Sequence, residues 1–208
     1  MRDLIYGVLL SSDNTLALAG AEKVSGSESI FVDRMNERAA EIGMSRTIFK
    51  TPHGRDPEDI FDECVNKGVG LNDINCAHYS TPRDLAILAH AALPKIRDFV
   101  ERERYEITTW KDKFGSAKNI TIRNTNRLLR GGGSNFYAGA YGVKTGTTDR
   151  AGRCLVSAAE RGSLDIIAVV LGSNANGDSD GDRYTDSRTL LDWGFAQAFA
   201  SSLLRAER

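Results

Sequence analysis

The run from Lys144 to Thr148 (Lys-Thr-Gly-Thr-Thr) concentrates more reactive and ligand-binding groups than its surroundings in the 208-residue chain. It follows Tyr141 and Val143, whose residue types favour a β-strand. A strand that ends in this way offers a cation, hydroxyl groups and unobstructed backbone donors. Such a strand can hold a peptide-like ligand that ends in a carboxylate. A solvated lysine before a turn is the alternative interpretation of the same residues.

A second polar run, Ser12-Asp13-Asn14, lies between two apolar helical patterns. Serine, aspartate and asparagine all accept hydrogen bonds from the first free N–H groups of a helix. Taken alone, the run therefore predicts a helix boundary.

The composition excludes several classes of function. The net charge is −1, so no basic face is expected by count and a nucleic-acid partner is not predicted. The longest apolar run, Ile166 to Leu171, is too short to cross a bilayer, and the first residues do not resemble a signal peptide. Hydrophobic residues at 41% and charged residues at 26% are ordinary for one globular domain.

The three cysteines allow two interpretations. Cys64 and Cys76 bracket a polar loop, so they are either a loop-closing disulfide or two reduced thiols. Cys154 lies in an apolar strand pattern and is expected to be a buried free thiol. The chain has neither a Cys-x-x-Cys pair nor a Cys/His cluster, so we predict no metal site and no cofactor. The acidic run Asp178 to Asp182 is interpreted as a solvated loop, and a calcium-binding loop is the alternative.

Hydrophobic periodicity predicts a mainly helical first part, residues 1–135. Helices are expected over Arg2 to Leu10, from Thr15 to Ala19, and after a Ser25-x-x-Glu28 capping box up to Gly43. The apolar stripe of the third helix is Ile30, Phe31, Met35, Ala39 and Ile42. A further helix begins after Thr81-Pro82, with Leu85, Leu88, Ala89 and Ala92 facing inward.

The second part, residues 136–208, is predicted to be a sheet with a C-terminal helix. Residues 105–109 and 120–122 form a small ribbon that precedes it, and residues 153–159 and 164–171 form a hairpin. The last helix runs from Tyr184 to Leu204, and the residues expected to pack are Leu190, Leu191, Trp193, Gly194, Phe195 and Phe199. Because the strands come in hairpins, the predicted fold class is α+β with antiparallel pairing.

These pieces together resemble the penicillin-recognising serine enzymes, and most closely the D-alanyl-D-alanine carboxypeptidases. That superfamily has the motifs S-x-x-K, S-D-N and K-T-G, and this chain contains Ser12-Asp13-Asn14 and Lys144-Thr145-Gly146 in that order. The connecting stretches that are also similar include Thr51-Pro52-His53-Gly54, His78-Tyr79-Ser80-Thr81, Asn124-x-Asn126-x-Leu128-Leu129 and Trp193-Gly194-Phe195. The resemblance implies a β-lactamase/transpeptidase-like fold in which a helical lobe meets a sheet covered by the C-terminal helix.

The resemblance also implies roles for the residues of the two motifs. Ser12 would relay a proton to the leaving amine, Asn14 would hold the substrate backbone or orient a lysine, and Lys144 would supply positive potential. Thr145, Thr147 and Thr148 belong to the substrate-binding strand, where the hydroxyls of Thr145 and Thr147 would bind the terminal carboxylate. The backbone N–H of Thr147 would be an oxyanion donor, and Gly146 would leave room for the ligand.

The nucleophile motif is absent from the sequence, because no lysine has a serine three residues before it. By resemblance, we expect that an N-terminal part with Ser-x-x-Lys precedes these residues or travels as a separate chain. The sheet would then keep about three strands here, residues 1–208 would form a partial catalytic domain, and the chain alone would be inactive.

The function expected by resemblance is therefore a serine-type D-Ala-D-Ala carboxypeptidase of the cell envelope. Its expected ligands are peptidoglycan stem peptides and β-lactam antibiotics. Two alternatives stay open at this point: a relative that binds peptidoglycan without cleaving it, and a β-lactamase. The β-lactamase alternative ranks lowest, because Asn66, Asn72 and Asn75 have no glutamate four residues before them.

Overall fold

The structure is a computed structural model that describes residues 1–55, 78–108, 111, 115–173 and 181–206. Cys64 and Cys76, the candidate disulfide pair, lie outside the described residues, as does the acidic run up to Asp180. Among the described helices, none combines the length and the apolar character that a membrane span requires.

The N-terminal helices surround the Ser12 turn. Helix α1 spans Arg2–Tyr6 and continues into a π-helical turn over Gly7–Ser11. Helix α2 spans Asn14–Ser25, where the Asp13 side chain accepts a hydrogen bond from the backbone N–H of Leu16. Helix α3 spans Glu28–Glu41.

Helix α4, Pro82–Val100, begins as the sequence predicts. The Thr81 side chain accepts a hydrogen bond from the backbone N–H of Asp84. Pro82 occupies the first turn, where its missing N–H costs the helix no hydrogen bond. The Asp84 carboxylate in turn accepts hydrogen bonds from the Arg46 N–H and the Thr47 hydroxyl, both at 2.8 Å. These bonds join α4 to the loop that follows α3.

Two antiparallel sheets carry the strands. Strand β1, Arg104–Ile107, pairs with β2, Ile120–Arg123, as the predicted ribbon. Strands β3, Ala140–Thr148, β4, Gly152–Arg161, and β5, Leu164–Ser173, form a three-stranded sheet in the order β3-β4-β5. A 3-10 turn at Arg127–Leu129 precedes β3, and helix α5, Gly181–Ala206, completes the described chain.

The three-stranded sheet lies between two helices, one on each face. One core cluster joins Leu155 and Ala159 of β4 to Leu191 and Phe195 of α5. The other joins Ala158 of β4 to side chains of α4. The predicted α+β class, with a helical part and a three-stranded antiparallel sheet under a C-terminal helix, is confirmed.

Several details of the sequence prediction are wrong. Ser27, not Ser25, caps α3, because Gly26 adopts a left-handed conformation (φ 82°) that ends α2 after Ser25. Ile30 was expected in the apolar stripe of α3 but is 47% exposed. Leu190, Trp193 and Phe199 of α5 were expected to pack but are exposed, since only the Leu191 and Phe195 face meets the sheet. Cys154 is half-buried rather than buried.

Candidate active site

Strand β3 is the edge strand of its sheet among the described residues, and its side chains alternate between two faces. Lys144 lies opposite Val156 of β4, which packs against the cluster on the α4 side. Thr145 and Thr147 lie opposite Leu155 and Arg153, and Leu155 belongs to the cluster on the α5 side. Because directly opposed residues share a face, the lysine and these two threonines occupy different faces of one strand.

Lys144 is half-buried, and its ammonium group donates a 2.8 Å hydrogen bond to the carbonyl oxygen of Thr145. Burial, and secondarily the positive charge of Arg183, lowers the pKa of Lys144 to about 8. Near neutral pH the amine can therefore both present a positive charge and exchange a proton.

Ser12 occupies a strained turn between the π-helical segment and α2. Its backbone is left-handed, with φ 61° and ψ 41°, and among the described residues it is the one non-glycine residue with positive φ. Strain of this kind in a non-glycine residue is concentrated at functional sites. The turn leaves Ser12 and Asn14 exposed, and Asn14 is the first residue of α2.

All seven residues that the sequence singles out line one cleft of about 470 Å³. They are Ser12, Asn14, Lys144, Thr145, Gly146, Thr147 and Thr148. The two motifs are about 130 positions apart in the chain, so their meeting depends on how the helical part packs against the β3 edge. The cleft thus joins a cation, hydroxyls, an amide and the edge of a strand.

The individual threonines differ in their local contacts. The Thr145 and Thr125 hydroxyls lie 2.6 Å apart, and the Thr147 hydroxyl donates to the carbonyl oxygen of Gly146 at 2.8 Å. The Thr148 hydroxyl accepts a hydrogen bond from the Ala151 N–H in the turn to β4. Thr148 therefore also stabilises the turn that ends the strand.

His53 and His78 also line the cleft, and both hold the loop around them. The Nδ1 atom of His78 accepts a hydrogen bond from the Lys50 N–H at 3.4 Å, and that of His53 accepts one from the Arg55 N–H at 3.2 Å. These contacts give both histidines a structural role in the loop. Within the described part of the chain, no group of three or more acidic, histidine or cysteine side chains is placed to hold a metal ion.

Asn124 and Asn126 are fully buried and attach the segment before β3 to the rest of the fold. Asn124 donates to the carbonyl oxygens of Val100 and Arg102, and Asn126 donates to that of Gly142 in β3 at 2.9 Å. These bonds give a physical reason for the Asn-x-Asn spacing seen in the sequence.

Arg183 is the functional candidate that the sequence does not reveal. It lies in the first turn of α5, is 5% exposed, and donates to the carbonyl oxygens of Gly146 and Cys154 at 3.0 and 3.2 Å. It also donates to the Thr147 hydroxyl at 3.0 Å. No motif marks this arginine, because its position depends on the packing of α5 against the sheet.

Comparison with characterised sequences agrees with the motifs. The chain is 33% identical over 204 residues to the D-alanyl-D-alanine carboxypeptidase DacF of Bacillus subtilis, covering 95% of this chain and 43% of that enzyme. It is 36% identical over 205 residues to a D-alanyl-D-alanine carboxypeptidase of a Streptomyces species, covering 94% of this chain and 61% of that enzyme. The chain therefore spans about two fifths to three fifths of the length of these relatives.

Solved structures lead to the same group of enzymes. A Streptomyces DD-transpeptidase superposes with a TM-score of 0.73 at 33% identity, over 94% of this chain and 67% of that one. Penicillin-binding protein D2 of Listeria monocytogenes, solved in its cefotaxime-bound form, gives 0.69 at 27% identity, over 93% of this chain and 66% of that one. The family model described as D-alanyl-D-alanine carboxypeptidase, peptidase family S11, matches residues 1–175, and the chain belongs to this family.

Proposed function

We propose that this protein is a serine-type D-Ala-D-Ala carboxypeptidase that acts on peptidoglycan stem peptides and is acylated by β-lactams. The observation that carries the proposal is the cleft in which Lys144, with its lowered pKa, shares one lining with Ser12, Asn14 and the edge of β3. The relatives named above, which share about a third of their aligned residues with this chain, carry that activity in their names. Action at the cell envelope is part of the proposal.

In the proposed complex, some cleft residues attract the ligand by charge and others bind it through hydrogen bonds. An extended peptide would lie along the free edge of β3, where backbone groups are available for pairing. Lys144 would draw its negative end inward, and the hydroxyls of Thr145 and Thr147 would bind the terminal carboxylate. Because the pKa of Lys144 is about 8, about nine tenths of the amine is protonated at pH 7.

Ser12, Asn14 and the backbone of Thr147 would serve the reacting bond. The exposed Ser12 hydroxyl would pass a proton to the leaving amine, and the Asn14 amide would hold the peptide backbone. The N–H of Thr147 would stabilise negative charge on the attacked carbonyl oxygen, a contribution of about 3 kcal/mol in other acyl-transfer enzymes.

The nucleophile of the proposed reaction is a serine of a Ser-x-x-Lys pair that the 208 residues do not contain. An apolar groove of about 380 Å³ beside the cleft supports this part of the proposal. The groove is lined by half-buried aliphatic side chains of α4, including Leu85, Leu88 and Ile96, and it reaches Lys144. A helix that buried its apolar face there would bring its polar side chains to the cleft, and the burial would be favourable.

Release of D-alanine from an acyl-D-Ala-D-Ala peptide by the full-length protein tests the proposal. We expect release by the wild type and a fall of about a hundredfold or more in Lys144→Met, because a preorganised charge would be lost from the cleft. Lys95→Met is the matched control, since Lys95 is an exposed lysine on α4. Equal rates in all three proteins, or no release by the wild type, would contradict the proposal.

A second candidate is a relative that binds stem peptides without cleaving them. The observation in its favour is the absence of a Ser-x-x-Lys pair from the sequence, while the β3 edge and its cation are present. Reversible binding of the peptide by the full-length protein, with no D-alanine released and no covalent adduct with penicillin, would favour this candidate.

A further inference from the structure

One wall of the cleft is apolar and comes from the helical part of the chain. We call it the apolar wall. It consists of Val8, Ala17, Met35, Phe49 and Pro52, which line the same cleft as the β3 edge. All five residues are half-buried. None of them belongs to the three hydrophobic core clusters of the described residues, so the wall is apolar surface that these clusters do not use.

The five residues come from four parts of the fold. Val8 lies in the π-helical turn, Ala17 on α2 and Met35 on α3. Phe49 and Pro52 lie in the loop that follows α3. The wall is therefore not the exposed stripe of one amphipathic helix, because separate elements each bring an apolar residue to the same cleft.

Phe49 is held in position by contacts on its backbone and on its ring. The Asn36 side chain accepts a hydrogen bond from the Phe49 N–H at 2.8 Å and donates one to the Phe49 carbonyl oxygen at 2.9 Å. The preceding residue, Ile48, pairs with Tyr79 through two backbone hydrogen bonds. The Phe49 ring meets the His78 ring edge-on, with 5.7 Å between the centroids. Because Phe49 is already ordered, a ligand that packs against it loses little conformational entropy on the protein side.

The apolar wall is larger than a D-Ala-D-Ala end can cover. That dipeptide offers two methyl groups, and its peptide and carboxylate groups are polar. In the proposed complex the hydroxyls of Thr145 and Thr147 bind the carboxylate, so the leaving D-alanine is fixed beside β3. The group that covers the wall then belongs to the acyl side of the cleaved bond, and its burial against apolar side chains is favourable.

We propose that the apolar wall is a specificity site for an apolar side chain on the residue that precedes D-Ala-D-Ala. This inference rests on the proposed function, since it names the acyl groups that the same cleft prefers. Phe49 is the main contact, because it is the largest side chain of the wall and is held by the contacts described above. Met35 adds an unbranched side chain that can adapt its shape to the ligand.

Release of D-alanine from three acetylated tripeptides by the full-length protein tests the site. All three peptides end in D-Ala-D-Ala, and the preceding residue is leucine, asparagine or glycine. Leucine and asparagine compare an apolar with a polar side chain of similar size. We expect kcat/KM for the leucyl peptide to exceed that for the other two about tenfold or more, because only its side chain gains from burial against the wall. Equal values for the three peptides, or a preference for asparagine, would overturn the proposal.

Phe49→Ala and Met35→Ala each remove part of the wall. The ratio of kcat/KM between the leucyl and glycyl peptides is expected to fall to about two or less in Phe49→Ala and by about threefold in Met35→Ala. Met35→Ala places a good helix former on α3, so it tests the wall even if Phe49→Ala folds poorly. The ratio is the readout because a general loss of structure slows both substrates alike. An unchanged ratio in both variants would overturn the proposal.

Phe49→Leu and Phe136→Ala are the controls for these variants. Phe49→Leu keeps an apolar side chain at the wall and is expected to keep most of the preference. Phe136 is an exposed phenylalanine that does not line the cleft, so Phe136→Ala should keep the wild-type ratio. An equal fall of the ratio in Phe136→Ala would overturn the assignment of the preference to the wall.

The specificity site and the proposed function can fail separately. Normal release of D-alanine without a preference for the leucyl peptide overturns the specificity site and leaves the carboxypeptidase function intact. No release at all contradicts the carboxypeptidase function, and isothermal titration with the same three peptides then tests the wall. Tighter binding of the leucyl peptide that is lost in Phe49→Ala would support the wall. Dissociation constants that differ by less than about threefold, or no saturable binding, would overturn it.

Discussion

The two faces of β3 differ in how the fold treats positive charge. On the cleft face, Lys144 is a single amine whose pKa is lowered to about 8 by burial and by Arg183. On the α5 face, Thr145 and Thr147 line a pocket to which four arginines, Arg127, Arg130, Arg153 and Arg183, contribute guanidinium groups. One strand therefore has a single amine with a lowered pKa on one face and a group of guanidinium groups on the other, because β4, α5 and the segment before β3 contribute the arginines.

Gly146→Ala tests the cleft face without changing the fold. A Cβ atom at this position would lie 3.7 Å from the Cβ atom of Cys154, an ordinary contact, so stability should be unchanged. The added methyl group would displace a ligand that lies along the strand, and a displacement of this size can cost about a hundredfold in rate. We expect D-alanine release to fall by that order while the unfolding midpoint stays the same. A stable variant with wild-type activity would show that the ligand does not approach Gly146.

Asn126→Ala tests how the segment before β3 is attached to that strand. The Asn126 side chain is fully buried, donates to the Gly142 carbonyl oxygen and accepts a hydrogen bond from the Leu128 N–H. Its loss leaves buried polar groups without partners, so we expect unfolding free energy to fall by about 2–3 kcal/mol in urea denaturation. Asn119→Ala, at an exposed position, should change it little. If Asn126→Ala and Asn119→Ala lower the free energy of unfolding by equally small amounts, other contacts hold the segment.

Stability should rise with pH between about 8 and 10.5 because of Lys144. Below this window the amine is protonated in both the folded and the unfolded chain, and the folded chain carries the full penalty of burying the charge. Within it the unfolded chain binds the proton and the folded chain does not, so raising the pH favours folding. Urea denaturation at the two ends of the window should show this rise in the wild type and its loss in Lys144→Met.

Arg183→Gln tests whether a charge on the α5 face of β3 affects the pKa of Lys144 on the cleft face. Burial is the larger cause of the lowered pKa of Lys144 and would remain, while the repulsion from Arg183 would be removed. We expect the pKa to rise by about one unit or less, measured by NMR titration of the labelled lysine amine. Arg183→Lys, which keeps the charge, should retain a pKa near 8. If the pKa of Lys144 also rises in Arg183→Lys, altered packing and not the lost charge would be the cause of the rise.

Ser12→Gly is expected to change stability by a small amount and in the favourable direction. The left-handed backbone of Ser12 suits glycine better, so the free energy of unfolding should increase by about 0.5 kcal/mol. Ser11→Gly is the contrasting control, because Ser11 lies in the π-helical turn and its hydroxyl donates to the Gly7 carbonyl. A loss of stability in both variants would contradict strain at Ser12.

Local sequence signals predict the elements whose causes are themselves local. The cap of α4 at Thr81-Pro82, the ribbon of β1 with β2, and the hairpin of β4 with β5 all depend on neighbouring residues, and all are confirmed. Burial is predicted less well, because an apolar residue is covered only where another element is present. Trp193 is 64% exposed although its pattern favours the core.

The candidate site likewise combines features that local sequence signals predict with features that depend on contacts between distant residues. The sequence identifies the residues of the cleft because their motifs are contiguous, and the structure places all of them along one lining. It does not identify Arg183 or the pocket around it, since those contacts join residues more than 30 positions apart that share no motif. The cap predicted at Ser25 fails for a local reason instead, because the left-handed Gly26 moves the boundary between two helices by two residues.

Covalent labelling with a fluorescent penicillin, read as the mass of the intact protein, tests the central claim most directly. We predict one penicilloyl adduct on the full-length protein, strongly reduced by Lys144→Met, and none on the 208-residue chain alone. An adduct on the isolated chain would place the nucleophile within these residues. Absence of any adduct on the full-length protein would contradict the proposed acyl-transfer function of the cleft.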